Sequence, residues 1–585
     1  MYKFLKSITI VVLIIVGCNP DDKSDDSTLG NLLVNVNLSD GTPEPNATVT
    51  LIPGNSALLT NTDGVARFSN IPAGNYEVTV ELSPNSASYV EGFIYEFSEI
   101  TVVENNTEIL NVEILDPVQP IEETAPDIDL LLANTYSKLK DSFMFNFDGY
   151  SMYWGDIGMD LAYIDQNASS IYLALDRYIF EPSNSIINEV WAIHYRAIRD
   201  TNLGLEILSE GNYTTESGNE ESVISAEFRF LRALFYFNLL KLYGNPVLVT
   251  STSDSVIEQN RPALMSLIEE DLLYAESNLE SFTVSTIASV EAAQVLLGRF
   301  YLYSAGFPDL KTENYALAAS QFDKVLNQFN LEDDYADVFL VQNELNNSEI
   351  IFSIDFNASE QNGGGNLGVN WGPLGYAIND FLRLDQKFIG EYFIDEVDFQ
   401  NPIVFPLNIE DDRFTNNIAP FIVQNGTKSN ATDAEDWRPF KFIGDISDSP
   451  GVGLSSEDFP YMRYGDVLLM AAEAENAING PTTKAYDLVN QVIERSHDSQ
   501  DHLLQGGLSQ NEFLLEVLMQ RKKELCFEGT YKDDLIRNQL LSDRIQDFNE
   551  RNPDVAKEFQ SHKYIWPIPS EEINLNPNVV QNPGY

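Results

Sequence analysis

The segment from Arg463 to Gly480 constrains the fold more than any other part of the sequence. Its spacing predicts a helix that ends at Gly480-Pro481, because glycine adopts the left-handed cap and proline cannot continue the turn. Apolar and small residues cover most of its surface, yet one stripe, at spacings of three and four, is largely charged: Arg463, Asp466, Met470 and Glu473. We therefore expect a helix that packs on more than one side and holds its charges in fixed ion pairs.

Two later blocks supply possible partners for this helix. The first reads Arg521-Lys-Lys-Glu-Leu-Cys-Phe-Glu-Gly529 and continues with Asp533-Asp-Leu-Ile-Arg537. The second reads Pro567-Ile-Pro-Ser-Glu-Glu-Ile-Asn-Leu-Asn-Pro577 and ends with Gln581-Asn-Pro-Gly-Tyr585. In this order, the helix and the two blocks resemble the C-terminal half of the SusD/RagB family of Bacteroidota surface lipoproteins.

An earlier segment extends the resemblance over roughly residues 127–585. Ala226-Glu-Phe-Arg-Phe-Leu-Arg-Ala-Leu-Phe-Tyr-Phe237, followed by Leu242-Tyr-Gly-Asn-Pro-Val-Leu248, is similar to the N-terminal signature of the family. The resemblance implies a mainly α fold, in which tetratricopeptide-like helix pairs form a scaffold for irregular loops. It also implies nutrient binding, mostly of glycans, and a SusC-like TonB-dependent outer-membrane transporter as partner. The residues that carry it include Glu524 and Glu528, which we expect, with the charged stripe, Arg521 and Arg537, to form buried ion pairs.

Composition excludes several classes of function. The 585 residues carry a formal net charge of −56, whereas nucleic-acid binding requires clustered lysine and arginine. The four histidines show no metal-ligand spacing, and no nucleophile elbow, phosphate loop or dinucleotide fingerprint occurs. With 90 acidic residues, a pair of carboxylates says almost nothing about glycosidase chemistry. We therefore expect a binding protein without catalytic residues, cofactor or metal.

The first residues have the features of a lipoprotein signal peptide. Lys3 and Lys6 precede a short apolar run, and Ile15-Val16-Gly17-Cys18 resembles the lipobox in which the cysteine is lipidated. Residues 1–18 are thus predicted to be the signal, with lipid on Cys18, and residues 19–28 an acidic tether. These features predict a lipid-anchored protein exposed on the cell surface at the outer membrane; an ordinary secretory signal is the alternative.

Residues 29–116 predict a small β-sandwich before the helical part. Short β-favouring runs alternate with turn signals such as Asp40-Gly41 and Asp63-Gly64. Thr62-Asp-Gly-Val-Ala-Arg-Phe68 and Ile71-Pro-Ala-Gly-Asn-Tyr76 resemble the carboxypeptidase regulatory-like domain, which is not catalytic. Residues 117–126 are rich in proline and acids and predict a linker. Helical periodicity begins at about residue 127 and continues through strongly apolar helices such as 225–243.

Two loops combine the residues that a sugar requires. Sugars stack their C–H faces on aromatic rings, and their hydroxyls need carboxylate, amide or guanidinium partners. Residues 150–160 contain Trp154 and Asp156, and the glycine-rich residues 363–376 contain Asn370, Trp371 and Tyr376. Both loops fall in regions from which SusD-like proteins draw ligand contacts. We expect these five residues to bind the ligand; the alternative is that the tryptophans only pack the loops onto the scaffold.

Other conspicuous side chains are expected to be structural: Trp191, Trp437, Trp566 and Cys526, the last within a helix predicted at 512–528. The sequence thus predicts a surface glycan-binding lipoprotein that delivers oligo- or polysaccharide to the transporter. A RagB-like binder of peptides is the alternative; it would need a cleft with backbone partners rather than an aromatic platform.

Overall fold

The computed structural model describes 29–38, 41–54, 56–84, 86, 95–114, 125–142, 144–145, 150–253, 258–357, 365, 372–377, 381–393, 398–425, 427–442 and 456–585. The lipidation site Cys18, the tether, most of the linker, Asn370 and Trp371 lie outside these ranges. The chain divides into two compact units, residues 1–125 and residues 126–585. Each unit is described by itself.

The first unit consists of β-strands. They are β1 (Leu29–Leu38), β2 (Thr48–Ile52), β3 (Ser56–Leu59), β4 (Val65–Pro72), β5 (Gly74–Glu81), β6 (Tyr95–Val102) and β7 (Thr107–Ile114). One sheet has the order β4-β1-β7, in which β1 and β7 are parallel, and the other has the order β3-β2-β5-β6.

The two sheets of the first unit share one apolar core. Alternate residues of β1, such as Leu32, Val34 and Val36, are fully buried, and they share a core cluster with Val49 and Val80 of the other sheet. This period of two produces the sandwich arrangement that the sequence predicts. The sequence pattern missed β3, whose four residues are all exposed. The resemblance to a carboxypeptidase regulatory-like domain stays a prediction.

The second unit is mainly helical. Its helices are α1 (Ile128–Ser137), α2 (Tyr150–Gly155), α3 (Ser170–Asp176), α4 (Ser185–Glu210), α5 (Glu221–Tyr243), α6 (Arg261–Asn278), α7 (Val290–Ala305), α8 (Asn314–Val325), α9 (Gln386–Gly390), α10 (Phe414–Asn417), α11 (Tyr464–Asn479), α12 (Thr483–Arg495), α13 (Gln510–Leu525), α14 (Tyr531–Arg537), α15 (Leu541–Arg551) and α16 (Ser570–Leu575). The mainly α fold class is confirmed, and the helix predicted from Arg463 to Gly480 is α11, with Gly480 at φ 78° as its C-cap.

The long helices pack in sequence order, each against the next, from α4 to α8, and α8 then packs against α11. Glycines let neighbouring helices approach closely. A Cβ atom on Gly204 of α4 would lie 2.4 Å from the Phe228 ring of α5, and one on Gly298 of α7 would lie 2.4 Å from the Phe322 ring of α8. These contacts by small residues produce the helix-pair scaffold.

Short strands and turns lie against this scaffold. The strands are β8 (Ala162–Ile164), β9 (Val247–Leu248), β10 (Glu258–Gln259), β11 (Ile350–Ile354), β12 (Leu382–Leu384), β13 (Ile418–Ala419), β14 (Phe421–Gln424), β15 (Thr427–Asn430), β16 (Arg438–Pro439) and β17 (Phe459–Arg463). Each pairs with one antiparallel partner: β8 with β12, β9 with β10, β11 with β17, β13 with β16 and β14 with β15. In the described residues, no helix is both long and apolar enough to cross a membrane.

The guanidinium of Arg463 links the short strands and turns to the helical scaffold. It lies at the junction of β17 and α11, is fully buried, and donates to Glu349 at 2.7 Å and to Glu524 Oε1 at 2.6 Å. Two further bonds, of 2.8 and 2.9 Å, reach the carboxylate of Glu528. Arg413 and Arg495 also pair with Glu524, whose pKa the three surrounding arginines lower, although burial opposes this shift.

A second chain of ion pairs follows α11. Arg521 bridges Asp466 at 2.5 Å and Asp534 at 2.7 Å, and Arg537 pairs with Glu473. These groups are all buried. The prediction that the charged stripe forms fixed ion pairs is therefore confirmed. Cys526 is buried as predicted, but it is the C-cap of α13 rather than a residue inside the helix.

Replacing Glu524 tests how strongly this network stabilises the fold. Glu524→Gln leaves Arg413, Arg463 and Arg495 without their shared charge in a buried site, so the free energy of unfolding should fall by about 3–5 kcal/mol. Urea unfolding followed by circular dichroism measures the loss. Asp323→Asn is the matched control, because Asp323 pairs with Lys484 on the surface and should change stability by less than about 1 kcal/mol. Equal losses in both variants would contradict the prediction.

Candidate functional site

Trp154 lies in the interior and not on a surface loop. The sequence 150–155 forms α2, and the indole is fully buried. Its Nε1 donates to Asp533 at 2.8 Å, and the ammonium of Lys532 lies 3.9 Å from its ring centroid. The rings of Trp154 and Trp566 are nearly perpendicular, with centroids 5.4 Å apart. Because no ring face is left for a sugar, the prediction that Trp154 stacks on a ligand is wrong. The alternative, that it packs α2 onto the scaffold, describes its position.

Asp156 is also unavailable to a ligand. It is fully buried, and its Oδ2 accepts a hydrogen bond of 2.8 Å from the backbone N–H of Gly529. Burial raises its pKa to about 8, although hydrogen bonds from the backbone oppose the shift. The carboxyl therefore ties the chain after α2 to the turn before α14, and its assignment as a sugar ligand is wrong.

Tyr376 packs on a hairpin. Its ring is 9% exposed and clusters with Val423 and the half-buried rings of Phe421 and Phe440. The segment fits closely: Val423 N–H donates to Leu374 at 2.8 Å, and a Cβ on Gly375 would lie 2.1 Å from the Val423 carbonyl oxygen. We name Tyr376, Phe421 and Phe440 the hairpin cluster. The ammonium of Lys428 lies 5.0 Å from the Phe421 centroid.

A second aromatic group lies a short stretch of chain away. Tyr153 and Tyr172 stack at 5.2 Å with 6° between their planes, and Tyr172 and Phe381 stack at 5.2 Å with 19°. Tyr153 is buried, whereas Tyr172 and Phe381 are half-buried, and we name these three rings the aromatic ledge. Phe381 follows Tyr376 by five residues, so their Cα atoms are at most about 18 Å apart.

Strand pairing brings the ledge together. β8 and β12 are antiparallel, with Leu382 opposite Ile164 and Arg383 opposite Tyr163. The N–H of Asp165 donates to the Phe381 carbonyl at 2.7 Å, which places the turn before α3 beside Phe381. Tyr172 lies in the first turn of α3. Residues distant in sequence thus form one stack.

Polar groups of the kind that bind hydroxyls lie on the two segments that carry Tyr172 and Phe381. Asn167 donates to Asp165 Oδ1 through its backbone N–H and through its side-chain amide, both at 2.8 Å. The guanidinium of Arg383 lies 3.3 Å from Asp165 Oδ2. The ledge therefore combines flat apolar rings with an amide, a carboxylate and a guanidinium on a rigid frame. Such a surface can bind a neutral sugar by stacking and hydrogen bonds.

Sequence reasoning missed Tyr172 and Phe381. The only available signal was that both are aromatic and lie near the predicted loops. That signal is too weak to single them out from 34 phenylalanines and 27 tyrosines. Trp437, predicted to be structural, is fully buried, and its Nε1 donates to the Ala431 carbonyl at 2.9 Å. Trp191 and Trp566 are also buried.

Comparison with known proteins places this architecture in a family. Residues 410–585 match the model of the SusD family, and residues 119–302 match the model described as starch-binding, associating with outer membrane. Together the two matches cover more than half of the chain. The chain belongs to the SusD/RagB family. The family assignment and fold class predicted from the sequence are therefore confirmed.

Relatives of this SusD-family chain agree with the assignment. SusD-like protein P25 of Formosa agariphila is 26% identical over 525 residues, which span 79% of this chain and 93% of the relative. A SusD homologue from Bacteroides thetaiotaomicron superposes with a TM-score of 0.67 at 22% identity, covering 78% of this chain and 96% of the homologue. A laminarin-binding SusD-like protein superposes with a TM-score of 0.63 at 22% identity, covering 78% and 99%. The two superpositions show the shared fold.

The pKa of Asp156 predicts a pH-dependent contribution to stability. Its folded-state pKa of about 8 lies above the unfolded value, so folding favours the protonated carboxyl, and its contribution is lost as pH rises from about 4 to 8. Asp156→Asn removes this dependence. The melting temperature of the variant relative to the parent should therefore be about 2–4 °C higher at pH 9 than at pH 5.

Differential scanning fluorimetry at the two pH values measures this difference. Asp333→Asn serves as control, because Asp333 is exposed. Its melting temperature relative to the parent should be the same at both pH values. If the melting temperature of Asp156→Asn relative to the parent is also equal at pH 5 and pH 9, the raised pKa of Asp156 is disproved.

Proposed function

We propose that this protein captures oligo- or polysaccharide at the cell surface and delivers it to a SusC-like TonB-dependent transporter. The aromatic ledge is the observation that carries the proposal. Its three rings stack on one another, the half-buried Tyr172 and Phe381 give it apolar surface, and the adjacent turn offers hydrogen-bond partners. Family membership supports the same function, because one matched family is described as starch-binding and associated with the outer membrane. Lipidation of Cys18 would anchor the protein there.

Binding at the ledge requires no covalent chemistry. Stacking holds the sugar ring, and Asp165, Asn167 and Arg383 bind its hydroxyls. Trp371 and Asn370 stay in the proposal as further ligand contacts, with Tyr376 at the edge of the hairpin cluster. One ring pair contributes about 0.5–1.5 kcal/mol beyond area burial, so a single sugar binds weakly. A polymer that contacts the ledge and the hairpin cluster together would gain affinity through avidity.

Affinity electrophoresis tests the site. The unlipidated chain is run in native gels that contain a panel of neutral and anionic polysaccharides, and dissociation constants follow from retardation against polysaccharide concentration. Phe381→Ala and Tyr172→Ala should weaken binding of the retained glycan at least about tenfold, since each removes an aromatic stacking contact. Trp371→Ala tests the proposed contact on the glycine-rich segment.

Phe282→Ala is the matched control for these variants. Phe282 is half-buried and pairs edge-on with Phe329 at 5.0 Å, so its removal costs a similar ring contact away from the ledge. Its affinity should stay within about twofold of the parent. Unchanged affinity in all three test variants would reject the site. Retardation by none of the polysaccharides, together with binding of oligopeptides, would favour the peptide alternative.

A further inference from the structure

A groove on the helical unit shares no lining residue with the aromatic ledge or the hairpin cluster. It encloses about 300 Å³ between α4, the strand β9 and the C-terminal segment around α16. Its lining residues are Asn188, Trp191, Ala192, Tyr195, Val247, Val249, Pro569, Glu571, Glu572 and Leu575. We name it the Trp191 groove. Its volume is in the range of cavities that hold a side chain or a small ligand.

The floor of the Trp191 groove is aromatic and rigid. The rings of Trp191 and Tyr195 lie 4.8 Å apart, and the Tyr195 hydroxyl donates to the Val247 carbonyl at 2.7 Å. Trp191 is only 5% exposed, and Val247 and Pro569 are buried beside it. This floor is therefore preformed, and an occupant would not have to order it.

The rim exposes one large apolar side chain, that of Leu575. Leu575 is 83% exposed, the highest fraction among the large hydrophobic residues that the structure describes, and Val580, five residues later, is 69% exposed. Isolated exposed leucines are common on protein surfaces. Here the exposed leucine borders an apolar cavity, and the combination is typical of a contact surface for another molecule.

The charge of the Trp191 groove indicates the chemistry of its occupant. Two carboxylates, Glu571 and Glu572, line it, and none of its described lining residues is a lysine or arginine. Partial burial raises the pKa of Glu572, although the Trp191 indole donates a hydrogen bond to it. An ammonium or guanidinium would compensate both carboxylates and contact the electron-rich faces of the rings. The methylene stem of such a side chain would cover the apolar floor.

We propose that the Trp191 groove docks a segment of a protein partner that presents a lysine or arginine next to an aliphatic residue. The basic side chain lies over Trp191 and Tyr195 and reaches Glu571 and Glu572. The neighbouring aliphatic side chain covers Leu575. No groove residue belongs to the ledge, so this docking does not depend on glycan binding.

Titration of methyl NMR signals tests the proposal on the full chain after residue 18, produced without lipid. The probe is acetyl-Leu-Lys-Leu-amide, and Leu575→Ser identifies the Leu575 methyl signals. Saturable shifts of these signals are expected with the lysine peptide. Acetyl-Leu-norleucine-Leu-amide, which lacks the charge, should bind at least about tenfold more weakly.

Matched variants test whether the carboxylates of the groove bind the lysine side chain of the peptide. Glu571→Gln should weaken binding of the lysine peptide about fivefold or more, whereas Glu313→Gln, an exposed glutamate on another part of the scaffold, should leave it within about 1.5-fold. Leu575→Ser should weaken binding measured by calorimetry, and Leu317→Ser, which replaces another exposed leucine, should not.

Three results would overturn the proposal. Equal affinity for the lysine and norleucine peptides would remove the role of the carboxylates. Absence of saturable shifts with the lysine peptide would show that the groove does not dock such a segment. Saturable binding of n-butylammonium as tight as that of the peptide would assign the groove to small amines rather than to a protein segment.

Discussion

One buried guanidinium, that of Arg463, is the contact on which the helical unit depends. It donates five hydrogen bonds, to Glu349, to Glu528 and to both the side chain and the backbone of Glu524. A charge in the protein interior is tolerated only when all its hydrogen-bonding groups are paired, so these partners cannot shift independently. The strand β17, the helix α13 and the segment before β11 are thereby held at fixed distances, and the irregular strands have a rigid base.

The pairing of buried polar groups also explains why Trp154 and Asp156, predicted on a surface loop, lie in the interior. Trp154 contacts Asp533 and Lys532 of α14, and Asp156 accepts the Gly529 N–H, so α2 is tied to the turn between α13 and α14. Lys532 is buried in this contact, and the burial lowers the pKa of its ammonium to about 7. The chain leaves α2 in a fixed direction and forms β8. Pairing of β8 with β12 then aligns the rings of the aromatic ledge.

The two proposed surfaces differ in the chemistry of the ligand that each would bind. The aromatic ledge has stacked rings and a few polar groups, which suit the neutral faces of sugars. The Trp191 groove has rings and two carboxylates, with no lysine or arginine among its described lining residues, which suits a basic protein segment. Both are preformed, so little conformational entropy is lost when they are occupied. In the proposed function the protein binds a nutrient at one surface and a second protein at the other, and a net charge of −56 favours a basic partner.

The sequence by itself determined the fold class, the α11 helix with its ion pairs, and the family. Hydrophobic periodicity and charge spacing are local patterns, and residues 463–480 and 521–537 carry them directly. The positions of individual aromatic residues were decided only by the tertiary structure. Trp154 is buried and Tyr172 half-buried because α14, β12 and the C-terminal segment, all distant in sequence, cover the first ring completely and the second only in part. Aromatic composition is the same in a core and in a binding surface, so only packing distinguishes them.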